Sequence, residues 1–108
     1  MRKDKHYKLI EDDAQIDFRL EIENGKVVHF SINLSIITDK GNIDIYRVDT
    51  AHQGLHEQKF WISPKPKYIE KRRKENYDSD YSQKKKEVLE NFEKWVKLYK
   101  NKFLGEVL

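Results

Sequence analysis

Cysteine is absent from the 108 residues. That excludes disulfides and thiolate metal sites and fits a reducing cytoplasm. No stretch approaches the roughly 18 apolar residues of a membrane span. No apolar run follows the N-terminal Met1-Arg2-Lys3-Asp4-Lys5-His6 either, so neither a membrane partner nor a signal peptide is expected. Proline occurs twice, at Pro64 and Pro66, and glycine four times. There is no G-x-S-x-G elbow, no P-loop and no dinucleotide fingerprint.

What is present is charge and aromatic bulk. Charged residues make up 38% of the chain, yet five Phe, six Tyr and two Trp supply core material. The chain is therefore not of the disordered class. Its length suits one domain spanning 1–108, burying roughly 65% of the surface exposed on unfolding. Residues 1–61 hold nine Lys/Arg against eleven Asp/Glu, a balance of −2; residues 62–108 hold thirteen against eight, a balance of +5. The positive half points to a polyanionic or acidic partner, although a solvated lysine-rich surface gives the same count.

Alternation identifies the strands. Ile16, Phe18, Leu20 and Ile22 share one face, then Val28, Phe30, Ile32, Leu34 and Ile36. A three-residue loop, Glu23-Asn24-Gly25, would pair Leu20 with Val28 and Phe18 with Phe30, which puts every large apolar group on one side. A four-residue loop over Thr38–Gly41 pairs Ile37 with Asn42, Ile36 with Ile43 and Leu34 with Ile45. Strict alternation along a third strand, about 42–49, would send Arg47 and Asp49 to the buried face. Either a bulge at Tyr46 re-aims them or they line a cleft at the sheet edge. Residues 57–62 read as a fourth strand, ended by the two prolines. Residues 1–14 read as a loose N-terminus that could tack Tyr7, Leu9 and Ile10 onto the sheet, and 63–77 as a basic connector, with a short helix over 68–76. A C-terminal helix over 78–104 follows from Leu89, Phe92, Val96, Tyr99 and Phe103, with Val88 and Trp95 beside them and Asp78, Ser79 and Asp80 as cap candidates. The expected fold is α+β: an antiparallel β-meander of three to four strands packed against that long helix.

The chemistry concentrates between Tyr46 and Leu55-His56, where Arg47, Asp49, His52 and His56 fall at a strand end. Three readings stand side by side. In metal-independent RNA cleavage, His52 and His56 exchange protons, Arg47 clamps phosphate and Asp49 orients an imidazole. Lys59, Lys71, Arg72, Arg73 and Lys74 would hold the RNA backbone, and Tyr46, Tyr68 or Trp61 would stack a base. In a metal site, Asp49, His52 and His56 form D-x-x-H-x-x-x-H. However, Gln53 replaces the zincin glutamate and Gly54 opposes a helix, so no metal or other cofactor is expected. In the structural reading, Arg47 pairs with Asp49 and the histidines bond loop carbonyls. His29, opposite Arg19 on the polar sheet face, reads as solvated, and His6 belongs to the loose terminus.

The run Arg47-Val48-Asp49-Thr50-Ala51-His52, with Gly54 and His56 after it, resembles the R-Y-D-x-A-H segment of a family of small uncharacterised prokaryotic proteins. That segment is followed in the family by a glycine and a His-x-His pair. TumE-type toxins of type II toxin–antitoxin modules carry a similar segment. The likeness covers about residues 16–62. Val48 stands in place of the family's tyrosine, and Gln58 in place of its second paired histidine. The resemblance implies a cytoplasmic toxin-like protein acting on or binding RNA, with an antitoxin partner. Isolated sheet edges and a small core add the expectation of a homodimer. The alternative is a non-catalytic protein- or nucleic-acid-binding module using the basic connector and the helix.

Overall fold

Two-residue alternation runs through more of the chain than its apolar residues reveal. The computed structural model describes residues 2–51, 54–63, 65–72 and 74–105. They form β1 (Arg2–Glu11), β2 (Ala14–Glu23), β3 (Lys26–Thr38), β4 (Gly41–Asp49), β5 (Leu55–Lys59), β6 (Lys67–Glu70) and α1 (Asp78–Phe103). Each strand is hydrogen-bonded antiparallel to the next, so the sheet order is the chain order. The fold is α+β with a long C-terminal helix, but the meander has six strands rather than three or four. Among the described residues, no helix is long and apolar enough to cross a membrane.

The two additional strands lie at the edges. Arg2–Glu11 is not loose: each of its residues pairs with β2, from Arg2–Glu23 to Glu11–Ala14. Every residue of β1 is exposed, so no apolar stripe marks it. Its lysines suit an edge strand, where charge opposes pairing with other chains. Lys67–Glu70 is likewise a strand and not part of a helix, since the open edge of β5 accepts it. β5 starts at Leu55 and stops at Lys59, short of the expected 57–62, because residues 60–62 turn back with the Ile62 and Ser63 N–H groups donating to the Lys59 carbonyl.

Both central hairpins are shifted by bulges. Asn24 and Gly25 have φ of 52° and 76°, and Glu23 pairs with Lys26, so a two-residue turn replaces the expected three-residue loop. A bulge then places Glu21 opposite His29, Leu20 opposite Phe30 and Phe18 opposite Ile32. The apolar groups do share one face, by a route in which Val28 is the extra residue. In the β3–β4 hairpin Ile37–Asn42 and Ile36–Ile43 pair, but Leu34 meets Tyr46 instead of Ile45. Ile45 is the extra residue, and both Ile45 and Tyr46 are fully buried.

The helix lies over the face carrying Ile16, Phe18, Ile32, Leu34, Tyr46 and Val48. Its buried residues are Val88, Phe92, Trp95 and Val96, whereas Leu89 and Phe103 are exposed. The stripe is thus rotated toward Trp95, which stacks on Tyr46 with centroids 4.5 Å apart and lies 5.7 Å from Trp61. Asp78 makes no side-chain cap. Its Oδ1 instead accepts the Val27 N–H at 2.7 Å, and the Tyr77 N–H donates to the Val27 carbonyl at 2.7 Å. The helix start is thereby tied to the first residues of β3.

One polar network crosses this core. The Tyr46 hydroxyl donates to Glu57 Oε2 at 2.6 Å, and Lys84 Nζ lies 3.0 Å from the same oxygen and 3.1 Å from Glu87. Burial opposes the charge of Glu57, but the hydrogen bonds from Tyr46 and Lys84, with the charges of Lys84 and Lys59, outweigh it and hold the carboxyl below its ordinary 4.5. Burial, then the Glu57 carboxylate, pushes the Tyr46 hydroxyl upward, so it stays protonated as a donor. A carboxyl with a lowered folded pKa binds fewer protons folded than unfolded. Its stabilisation is therefore full above about pH 4.5 and is lost as pH falls through the folded value. Denaturant midpoints measured between neutral and acid pH should drop across that region. Glu57→Gln should cost about 1–3 kcal/mol at neutral pH and flatten the acid limb. An unchanged acid limb in the variant would remove Glu57 from this role.

Candidate active site on the open face of the sheet

The bulge at Ile45 sets where the charged residues of β4 point. Beyond it, Tyr46 and Val48 face the helix, while Arg47 and Asp49 face the uncovered side of the sheet. Asp49 is only 4% exposed even so, because its neighbours close over it. Its Oδ2 accepts from Arg47 Nε at 2.8 Å; its Oδ1 accepts the Ala51 N–H at 3.0 Å and lies 2.8 Å from His56 Nε2. His56 stands directly opposite Asp49 in the β4–β5 pair. Its Nε2 is also 3.0 Å from the Ala51 carbonyl. Both neighbours of that nitrogen are acceptors, so Nε2 carries the hydrogen. A buried carboxylate thus fixes one imidazole, one guanidinium and the turn after β4, which makes its own burial tolerable.

Thr50 secures the same strand end from the other side. Its Oγ1 accepts the Phe30 N–H at 3.0 Å, and its own N–H donates to the Phe30 carbonyl at 3.1 Å. His29 Nδ1 lies 3.3 Å from Thr50 Oγ1. Gly54 brings the chain back into β5 where no side chain fits: a Cβ there would meet the Glu70 carbonyl oxygen at 2.6 Å and that of Lys71 at 3.1 Å.

A hollow of about 660 Å³ opens on this face. Arg47 and Asp49 line it with Arg2, Lys5, His6, Arg19 and His29, and with two further carboxylates, Asp4 and Glu21. Arg2 is bridged to Glu21, and His6 Nε2 lies 3.0 Å from Asp17. Among the described residues Arg19 takes part in no ion pair, which leaves its guanidinium available to a ligand.

Of the four sequence candidates, the structure therefore brings together Arg47, Asp49 and His56. His52 lies outside the described residues, as does Arg73. Lys59 is on the opposite side of the sheet, 5.6 Å above the Trp95 ring. Lys71, Arg72 and Lys74 follow β6 and do not line the hollow, and Lys74 is 3.0 Å from Asp80. Tyr46 and Trp61 are in the core and offer no face to a base, whereas Tyr68 is 47% exposed. Among the described residues no three His, Asp or Glu groups gather as metal ligands, and the Asp49, His52 and His56 pattern weighed in the sequence includes the undescribed His52. His6, Arg19 and His29 were not read as site residues from the sequence; His29 stands opposite Glu21, not Arg19, and is half-buried rather than solvated. Continuing the two-residue period back across the Asp12-Asp13 turn would have placed His6 opposite Arg19.

Two substitutions test this arrangement. Asp49→Ala should lower stability by about 1–3 kcal/mol, since Arg47, His56 and the Ala51 N–H all lose their shared acceptor. Nitrogen NMR should find neutral His56 protonated at Nε2 in the wild type and a mixture of tautomers in the variant. Gly54→Ala should force β5 and β6 apart and cost a comparable amount, seen as faster amide exchange over Lys67–Glu70. Wild-type stability and exchange in that variant would contradict the close approach.

No curated protein and no solved structure matches the chain. The family match extends over the strands, the hollow and the helix alike, and its description carries no link to TumE-type toxins or toxin–antitoxin modules. The chain belongs to this family, the domain of unknown function DUF7718, matched over residues 1–107.

Proposed function

We propose that this is a toxin-like protein that acts on RNA through the open face of its sheet, with Arg47 as the phosphate clamp. The observation that carries this reading is the gathering of Arg47, Arg19, Arg2, His6 and His29 around one hollow, whose carboxylates Glu21 and Asp49 are bridged to Arg2 and Arg47 and whose third, Asp4, stands beside Lys5. Guanidinium groups match phosphate geometry and donate two parallel hydrogen bonds. Arg47 is anchored through Nε to Asp49, which directs the outer end of its half-exposed guanidinium toward solvent. Antiparallel sheets with one solvated face leave such a surface accessible. The likeness of Arg47, Asp49, Ala51 and His52 to the TumE-type segment supports a toxin–antitoxin setting, with the antitoxin as protein partner.

A cleaving version is favoured by one feature: two imidazoles, His6 and His29, line the hollow that holds Arg47. One neutral imidazole would take the proton of a ribose 2′-hydroxyl while a protonated one donates to the leaving 5′ oxygen, and Arg47 would stabilise the charge building on phosphorus. His56 has its Nε2 committed to Asp49 and Ala51, and serves to hold the site. The runner-up, a non-catalytic module working through the basic connector and helix, draws on exposed Lys71, Arg72 and Lys74.

Binding of labelled RNA should weaken steeply with salt, as counterion release requires. Arg47→Ala should lower affinity about tenfold or more at fixed salt. Expression of the wild type should arrest growth, and Arg47→Ala should relieve the arrest. RNA that stays intact while binding persists selects the non-cleaving version. Wild-type protein that shows no salt-dependent affinity for RNA and leaves growth unchanged overturns the proposal.

A further inference from the structure

The pairing registers place one residue from every strand on a single line across the open face. His6 is opposite Arg19, Arg19 opposite Ser31, Ser31 opposite Asp49, Asp49 opposite His56, and His56 opposite Tyr68. Residues opposite one another in a ladder project to the same side, so the line is a continuous row perpendicular to the strands. Five inter-strand gaps make it roughly 24 Å long. Its middle is low, with Asp49 buried and Ser31 and His56 half-buried; its ends, His6 with Arg19 and Tyr68, are exposed. The hollow occupies the β1–β4 part of the row. His56 and Tyr68 extend it onto β5 and β6, their rings 5.5 Å apart in an edge-on arrangement. Arg47 belongs to the adjacent row and leans onto this one through Asp49.

Resting on the RNA reading above, we infer that the RNA recognised is single-stranded and lies along this row across the strands, with a base stacked on Tyr68. The row and its neighbour offer two cations for the backbone, Arg19 and Arg47, and one feature that a duplex does not use, an aromatic ring at the open end for a base. Tyr68 suits the role because its ring is supported by His56 on one side and exposed to solvent on another. The sequential position of Arg19, Asp49-anchored Arg47 and Tyr68 gives the track a phosphate-binding half and a stacking half. A duplex, stiff and with its bases enclosed, could reach the cations but not the ring.

Fluorescence anisotropy with a labelled single-stranded oligouridylate, and with a duplex of the same length, tests this on the full chain. The single strand should bind more tightly than the duplex. Tyr68→Ala should weaken single-strand binding about tenfold, Tyr68→Phe should retain it, and neither should change duplex binding. Tyr68 is exposed at a sheet edge, so the circular dichroism of both variants should match that of the wild type. If the wild type binds single strands and Arg47→Ala weakens them while Tyr68→Ala does not, the RNA reading stands and the transverse track is wrong. Equal or tighter duplex binding also overturns the track. If the wild type binds neither probe, the RNA reading itself fails.

Discussion

One extra residue in β4 decides how this molecule divides its chemistry. Without the bulge at Ile45, strict alternation would drive Arg47 and Asp49 under the helix, where two charges in an apolar layer are costly. With it, Tyr46 and Val48 take those positions, and the charged pair moves to the solvated face. Everything at the candidate site follows from that half-turn. Asp49 meets His56 only because both now project the same way from paired strands, and Arg47 reaches the hollow only from that side.

The two faces of β4 and β5 are consequently different devices built from adjacent residues. On the helix side Tyr46, Glu57 and Lys84 form a buried network that joins sheet to helix. On the open side Arg47, Asp49 and His56 form a second network around a carboxylate. Tyr46 and Arg47 are neighbours in sequence, as are His56 and Glu57, so one peptide unit on each of the two strands separates the networks. The stacking of Tyr46 on Trp95 holds the strand from below. A site set on paired strands and braced in this way keeps its geometry better than one placed on loops.

Much of this was legible in the sequence, and the failures have physical causes. The α+β class, the two central strands and the C-terminal helix follow from apolar periodicity. A bulge or cleft at the Arg47–Asp49 position followed from the cost of burying charge. β1 was illegible because alternation is visible only where one face is apolar, and both of its faces are charged or solvated. β6 was hidden behind prolines and a lysine run that read as a connector. The Asn24-Gly25 turn was misassigned because the extra residue that aligns the apolar row was put into the loop, whereas Val28 supplies it inside β3. His6 went unrecognised as a lining residue of the hollow because its place there comes from β1 pairing, and His29 because the β2–β3 bulge sets it opposite Glu21 instead of Arg19.

β1 is also the wall of the hollow with the weakest hold. It has one neighbouring strand and contributes no buried side chain, so its free energy of opening is among the smallest in the fold. When it frays, Arg2 and His6 leave and the hollow becomes an open slope. Occupancy of the hollow and order of the first ten or so residues are therefore two views of one equilibrium: whatever binds against His6 and Arg19 is itself the cover that keeps the edge zipped.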